Sequence, residues 1–316
     1  MNTALVPVVV DQLPTLRASE NPPLVYLASL APGSRRTMKQ ALETIAAIAS
    51  GETTDVRRFP WQLLRHQHTA AIRARLAEQF SAATANKMLS ALRGALKTAW
   101  RLGLMSGDDY QRAVDVAAVK GRTLPRGRSL ESGELRSLFK ACAADESLAG
   151  RRDAALLAVL YGAGLRRSEV AALSVKDFNP ETGELRVHGK GNKDRTAYAT
   201  NGSANALKAW LAVRGTEPGP LFPAINKGGR IIPGEMTDQA VYGIIAKRAE
   251  QAGLQHFSPH DLRRSFVSDM LDAGADVSMV QQLAGHANVN TTLRYDRRPE
   301  HAKRKAAELL HVPFRG

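Results

Sequence analysis

The sequence predicts a mainly α protein with one small β-sheet, divided into a helical N-terminal region and a larger C-terminal domain. Three observations carry this. Apolar residues recur at helical spacing over most of the chain. The period shifts to short strands only at 183–200, GELRVHGKGNKDRTAYAT. Between the two regions lies 120–134, KGRTLPRGRSLESGE, whose Gly, Pro, Ser and cations make an exposed linker.

Residues 1–22 carry Pro7 and Pro14 with no sustained period and read as a leader. The helical region follows over 23–119. Its first clear helix, 32–51, has Ser34 as a cap candidate and Gly51 as a stop. Two more are expected at 60–80, opened by Pro60, and at 81–105, capped by Ser81. A shorter one covers 106–121. In the 81–105 helix Asn86, Arg93 and Lys97 are spaced seven and then four apart, so they share one face. Met88, Leu89, Leu92 and Leu96 lie opposite. Such a basic stripe is either a solvated face or a face for a polyanion. Arg126 and Arg128, in the linker at 120–130, could follow a phosphate backbone in the same way.

The second domain, 131–316, opens with helices at 132–144, 151–164 and 166–175. The hairpin turns on GKGNKD, where Gly and Asn accept positive φ. Helices return at 203–215, 238–253, 260–274, 276–286 and 290–296. Pro299 interrupts the chain before a last helix at 299–310, PEHAKRKAAELL.

At 316 residues, 44% of them hydrophobic and 23% charged, each part can build its own core. The net charge of +14 points to a polyanionic partner, nucleic acid first and an anionic membrane surface second. The single cysteine, Cys142, excludes an intrachain disulfide and a cysteine-based zinc site, and sits in a pattern that buries it. The eight histidines show no HExxH-type spacing. The N-terminus lacks a basic n-region and a long apolar stretch, and the apolar run 154–165 is too short to span a bilayer. A soluble cytoplasmic protein with no membrane partner is expected.

Several polar residues punctuate the second domain. Arg166 and Arg167 end an apolar run, Lys190 and Lys193 sit in the hairpin, and His260 and Arg263 are three apart on one helix. His286 is followed nine residues later by Tyr295. Singly, each has a dull explanation: a surface pair, a solvated turn, a half-buried ring. Together they can handle a phosphodiester. Two arginines can clamp nonbridging oxygens, histidines can hold or move protons, a lysine can protonate a leaving alkoxide, and a tyrosine hydroxyl can be the nucleophile. No carboxylate cluster suited to Mg²⁺ accompanies them, which disfavours a metal-dependent nuclease.

The motifs YGAGLRRSEV, VHGKGNKDR, SPHDLRRSFVSDMLDAG and VQQLAGHANVNTTLRYD occur in the order and spacing of a known family. Over about 25–310 the chain resembles the tyrosine recombinases, the phage integrase or Xer family. The resemblance implies a helical core-binding domain followed by an α/β catalytic domain. It implies Arg166, Lys190, His260, Arg263, His286 and Tyr295 as catalytic residues, with Tyr295 the nucleophile. Glu169 would orient the first arginine. It further implies cleavage and rejoining through a 3′-phosphotyrosyl bond and a Holliday junction, with no cofactor. The partners implied are a double-stranded DNA recombination site and, on it, a homotetramer joined through the 299–310 helix. A second recombinase or accessory protein could take part. The short leader leaves no room for an arm-binding domain, and the ending RYDRR favours service to a mobile element. A chromosomal Xer role, type IB topoisomerase-like relaxation and a silent DNA-binding accessory protein are the alternatives.

Overall fold

Helix ends decide where this chain turns, and capping side chains, proline and glycine mark many of them. The structure is a computed structural model. It describes residues 16–53, 55–121, 127–189, 193–293 and 295. The chain divides into two units, Met1–Pro125 and Arg126–Gly316. The leader up to residue 15, linker residues 122–126 and the expected helix at 299–310 lie outside the described residues.

The first unit is built from α1 (Pro22–Ala28), α2 (Pro32–Ser50), α3 (His66–Gln79), α4 (Ala82–Arg101) and α5 (Gly107–Val114). Helix α4 is its centre, touching each of the other four. Ser81 caps it, accepting from the Thr84 amide at 3.4 Å. One face buries Ala85, Leu89, Leu92, Leu96 and Ala99 completely. At about 25 cal/mol per Å² of apolar surface, burying each leucine side chain contributes roughly 1.5–3 kcal/mol.

Several boundaries differ from expectation. Ser34 does not cap α2. The helix starts at Pro32, whose fixed φ suits the first helical position. The stretch 60–80 is not one helix: a 3-10 turn at Trp61–Leu63 precedes α3. That break lets Trp61 bury its indole and donate to the Val56 carbonyl at 2.8 Å. Helix α5 stops at Val114, because residues 116–119 are claimed by other side chains. Asn86 both donates to and accepts from the Val119 backbone, at 3.0 and 2.8 Å. Arg93 donates to the Val116 carbonyl at 2.6 Å, and Arg73 to that of Ala117 at 2.7 Å.

The second unit runs α6 (Ser132–Ala143), α7 (Leu148–Gly162), α8 (Arg167–Ala172), β1 (Glu184–Gly189), β2 (Lys193–Tyr198) and α9 (Gly202–Arg214). It continues with β3 (Pro223–Ile225), β4 (Ile231–Glu235), α10 (Asp238–Gln251), α11 (Pro259–Asp272), α12 (Val277–Ala284) and α13 (Val289–Leu293). Helix α7 is apolar on every face over its second half and buries Ala155 through Leu160, as a central helix must. Strands β1 and β2 pair antiparallel, with Val187 opposite Arg195 and Gly189 opposite Lys193. The second antiparallel pair, β3–β4, was not expected. Its strands are short, and Pro223, Pro233 and Gly234 hide any alternation. Cys142 is buried, and burial pushes its thiol up to about 11.

One polar cluster sits inside this core. The Arg248 guanidinium, fully buried on α10, donates to Asp153 at 2.8 Å and to Asp145 at 2.6 Å. Arg152 donates to the other oxygen of Asp153 at 2.7 Å. Hydrogen bonds from Ser147 and then Arg248 hold Asp145 down at about 2. A smaller apolar cluster joins α11 to α12 through Phe266, Val267, Leu271, Val280 and Ala284, with Tyr295 packed on its edge. Among the described residues no helix is long and apolar enough to cross a membrane.

Candidate active site

The site is organised by the end of a short helix. Helix α12 stops at Gly285, which holds φ 61°, a left-handed conformation that glycine adopts without strain. A Cβ there would meet the Arg195 side chain at 2.9 Å. The last carbonyls of a helix lack intrahelical partners and carry the negative end of its dipole. Here three arginines take them. Arg195 donates to the Leu283 carbonyl at 3.3 Å, Arg263 to that of Ala284, and Arg166 to that of Gly285 at 2.6 Å.

Glu169 draws two of these arginines together. It lies in the first turn of α8, where its carboxylate accepts from the Arg166 amide at 2.8 Å, closing the helix start. The same carboxylate accepts from the Arg166 side chain at 2.6 Å and from Arg195 twice at 2.9 Å. Burial opposes its ionisation, but the bonds from Arg195 and Arg166 prevail and its pKa is lowered. Arg166 keeps a 43% exposed side chain, so its guanidinium is fixed at one end and open at the other.

Arg263 is only 3% exposed. It also donates to the Gly164 carbonyl at 2.5 Å, so two of an arginine's five donors are spent on backbone. Burial and the nearby Arg166 lower its pKa to about 9, which leaves it a cation at neutral pH. Arg166, Arg263 and His260 line one open cleft of about 330 Å³, with Arg167, Ser258 and Tyr242 on its walls. Arg167 turns away from phosphate duty: it pairs with Asp238 at 2.6 Å.

His260 stands at the start of α11, after Pro259 in the first turn. Its Nε2 lies 3.3 Å from the Tyr295 hydroxyl. Partial burial in the cleft, then Arg263 and Arg264, lowers the His260 pKa, although the side chain still meets solvent. His286 follows Gly285, and its Nδ1 is 2.9 Å from the hydroxyl of the buried Thr292 on α13. Burial, then the charges of Arg263 and Arg166, pushes His286 down to about 4. The His286 and Tyr295 rings are 6.3 Å apart between centroids. Both histidines are therefore neutral at pH 7, able to accept a proton or share one.

The structure thus brings Arg166, His260 and Arg263 onto one cleft, with the Tyr295 hydroxyl near His260 and the His286 ring near that of Tyr295. Lys190 and Arg126 fall outside the described residues. Asn86 and Arg93 are half-buried and bind the backbone of 116–119, while Lys97 is exposed. Arg128 pairs with Glu134 through bonds of 2.5 and 2.6 Å. Arg195 was missed. Its signal was present, because strand alternation puts it on the same side as the buried Ala197 and Ala199. An inward arginine on a strand calls for a buried anion.

The sequence pattern of the phage integrase family matches residues 128–301, and the chain belongs to that family. Within that family it is a tyrosine-type site-specific recombinase. It is 37% identical over 217 residues to tyrosine recombinase XerC of Azotobacter vinelandii, covering 66% of this chain and 67% of that protein. It is 35% identical over 229 residues to tyrosine recombinase XerD of Caulobacter vibrioides, covering 69% and 72%. In fold it is similar to the Tn1549 transposon integrase solved with a circular intermediate DNA. That likeness has a TM-score of 0.66 at 16% identity over 92% of this chain and 99% of the other.

Proposed function

We propose that the protein recombines double-stranded DNA at specific sites through a 3′-phosphotyrosyl intermediate. The observation that carries this is the Tyr295 hydroxyl, 3.3 Å from His260 beside a cleft lined by Arg166 and Arg263. The tyrosine oxygen attacks phosphorus, and neutral His260 takes its proton. Arg166 and Arg263 hold the nonbridging oxygens, whose charge grows in the transition state. His286, oriented by Thr292, hydrogen-bonds the same phosphate. Lys190, assigned by its motif alone, protonates the departing 5′-oxygen. A 5′-hydroxyl from the partner strand then attacks the phosphotyrosine, and Tyr295 leaves with its proton restored. One phosphodiester replaces another, so the ester stores the bond energy.

On this reading four protomers pair two DNA sites and pass through a Holliday junction, and the 299–310 segment links neighbours. The ending RYDRR favours service to a mobile element by integration, excision or resolution. The likeness to XerC and XerD supports a second reading, resolution of chromosome dimers. The chemistry is tested by covalent capture on a nicked duplex recovered by the wild-type protein from a random-sequence pool. Wild type should form a protein–DNA adduct and Tyr295→Phe none; an adduct with Tyr295→Phe sinks the assignment. Repeats flanking the gene that match the recovered site would place it on a mobile element.

A further inference from the structure

Helix α11 carries a second stripe, beside His260 and Arg263, that the chemistry above does not use. It consists of Asp261, Arg264, Ser265 and Ser268, at helical spacings of three, one and three. All four hold residues 127–130, the first described residues of the second unit. Asp261 accepts from the Arg128 amide at 3.0 Å, and Ser265 accepts from the Leu130 amide at 2.7 Å. Arg264 donates to the Gly127 carbonyl. The Ser268 and Ser129 hydroxyls are 3.3 Å apart.

Two of the four also hold the nucleophile. The Arg264 guanidinium carbon lies 5.3 Å from the Tyr295 ring centroid, within cation–π range. Ser268 donates to the Tyr295 carbonyl at 3.3 Å, which leaves Ser129 as donor to Ser268. Arg264 is 5% exposed and Ser268 5%, so neither is a surface contact that solvent would loosen. One side chain grips the tyrosine's ring and the other its backbone.

We propose that Arg264 and Ser268 form a latch that positions Tyr295 and couples it to the chain where it leaves the inter-unit linker. They are positioning residues: they reach the reaction only through Tyr295. The proposal rests on Tyr295 being the nucleophile. Its mechanical content is simple. A shift of 127–130 moves Arg264 and Ser268, and these move the hydroxyl relative to His260. Displacement of a reacting group by about 1 Å costs on the order of a hundredfold in rate.

The test uses the full chain and the captured nicked duplex, made with an ordinary and with a 5′-bridging phosphorothiolate scissile bond. A thiolate leaves without a proton, so a leaving-group defect is rescued on the second substrate and a nucleophile defect is not. Ser268→Ala and Arg264→Met should bind the duplex as wild type does and form adduct about 10–100-fold more slowly on both substrates. Arg264→Lys, which keeps a cation over the ring, should recover most of the rate. Gly127→Ala perturbs the latch from its far end, since a Cβ there would meet Asp261 at 2.1 Å, and should show the same selective slowing. Wild-type adduct rates in Ser268→Ala, or rescue by the phosphorothiolate, would overturn the latch. Wild-type rates in Gly127→Ala would overturn the coupling. Should Arg264→Met fail to fold, Ser268→Ala and Arg264→Lys decide the matter. Tyr295→Phe runs alongside, because an adduct there removes the nucleophile assignment itself, a result separable from any latch variant.

Discussion

Glu169 and Arg195, 26 residues apart, meet through two parallel hydrogen bonds of 2.9 Å, and Arg166 shares the same carboxylate. This forked geometry fixes both arginines against a buried anion. Glu169→Gln keeps the shape but removes the charge, and its NH2 replaces the oxygen that accepts from the Arg166 amide and from one Arg195 nitrogen. Expected are a stability loss of about 2–4 kcal/mol in urea unfolding and adduct formation slowed by at least about a hundredfold. The sign of the pH effect follows from the lowered Glu169 pKa. Its stabilisation is complete above the unfolded value of 4.5 and fades as pH falls through the folded value. Wild type should lose that part of its stability in acid, and Glu169→Gln should lack the slope.

The two histidines act in the same direction but begin at higher pH. Both have folded pKa values below the ordinary 6.5, His286 at about 4. Below 6.5 the unfolded chain takes up protons that the folded site refuses, so stability falls as pH drops from 6.5 toward 4. For half-buried His286, screened by solvent, about 1–2 kcal/mol is expected between pH 7 and 4.5. His286→Gln should flatten that stretch of the profile. A bound phosphodiester brings an anion to the same place and raises both values. DNA binding at pH 6 should therefore take up protons, read as a buffer-dependent heat in calorimetry. Equal heats in phosphate and Tris would refute the coupling.

In the first unit, residues on one helical face divide by role. Arg93 spends a donor on the Val116 carbonyl, whereas Lys97 is exposed. Arg93→Ala should destabilise the unit by about 1–3 kcal/mol, since it orphans a half-buried backbone group. Lys97→Ala should leave the melting temperature unchanged and weaken DNA binding across sequences, reducing the salt slope by about one. The reverse pattern would reassign the stripe.

What the sequence showed and what it hid follow one physical line. Helices with one apolar face, such as α4, and the apolar run of α7 were legible because burial leaves its mark on the pattern. Arg166, His260, Arg263, His286 and Tyr295 were legible as a group only through the resemblance of their motifs to the tyrosine recombinases, since Arg166 stands far from the others along the chain. Partners far along the chain were not. Nothing near Arg195 announces Glu169, and nothing near Asn86 announces that Val119 will return to it. The carbonyls at the end of α12 have no sequence signature at all, since any residue supplies them. Only Gly285 hinted that the helix stops there.

Arg248 gives the cleanest separation of stability from chemistry. It is fully buried, bridges Asp145 on one side and Asp153 on the other, and lies outside the cleft. Removing one member of such a network strands its partners in low dielectric, at a cost of about 3–5 kcal/mol. Arg248→Met keeps the apolar stem of the side chain but leaves Asp153, itself only 2% exposed, with Arg152 alone. The variant should unfold at lower urea with an unchanged slope against denaturant. At a temperature where it remains folded, adduct formation should match wild type. Replacing Asp145 and Arg248 together should cost less than the sum of the single changes, because the double variant buries one unpaired charge fewer. Strict additivity in that cycle would mean that the two residues, 2.6 Å apart, do not stabilise one another.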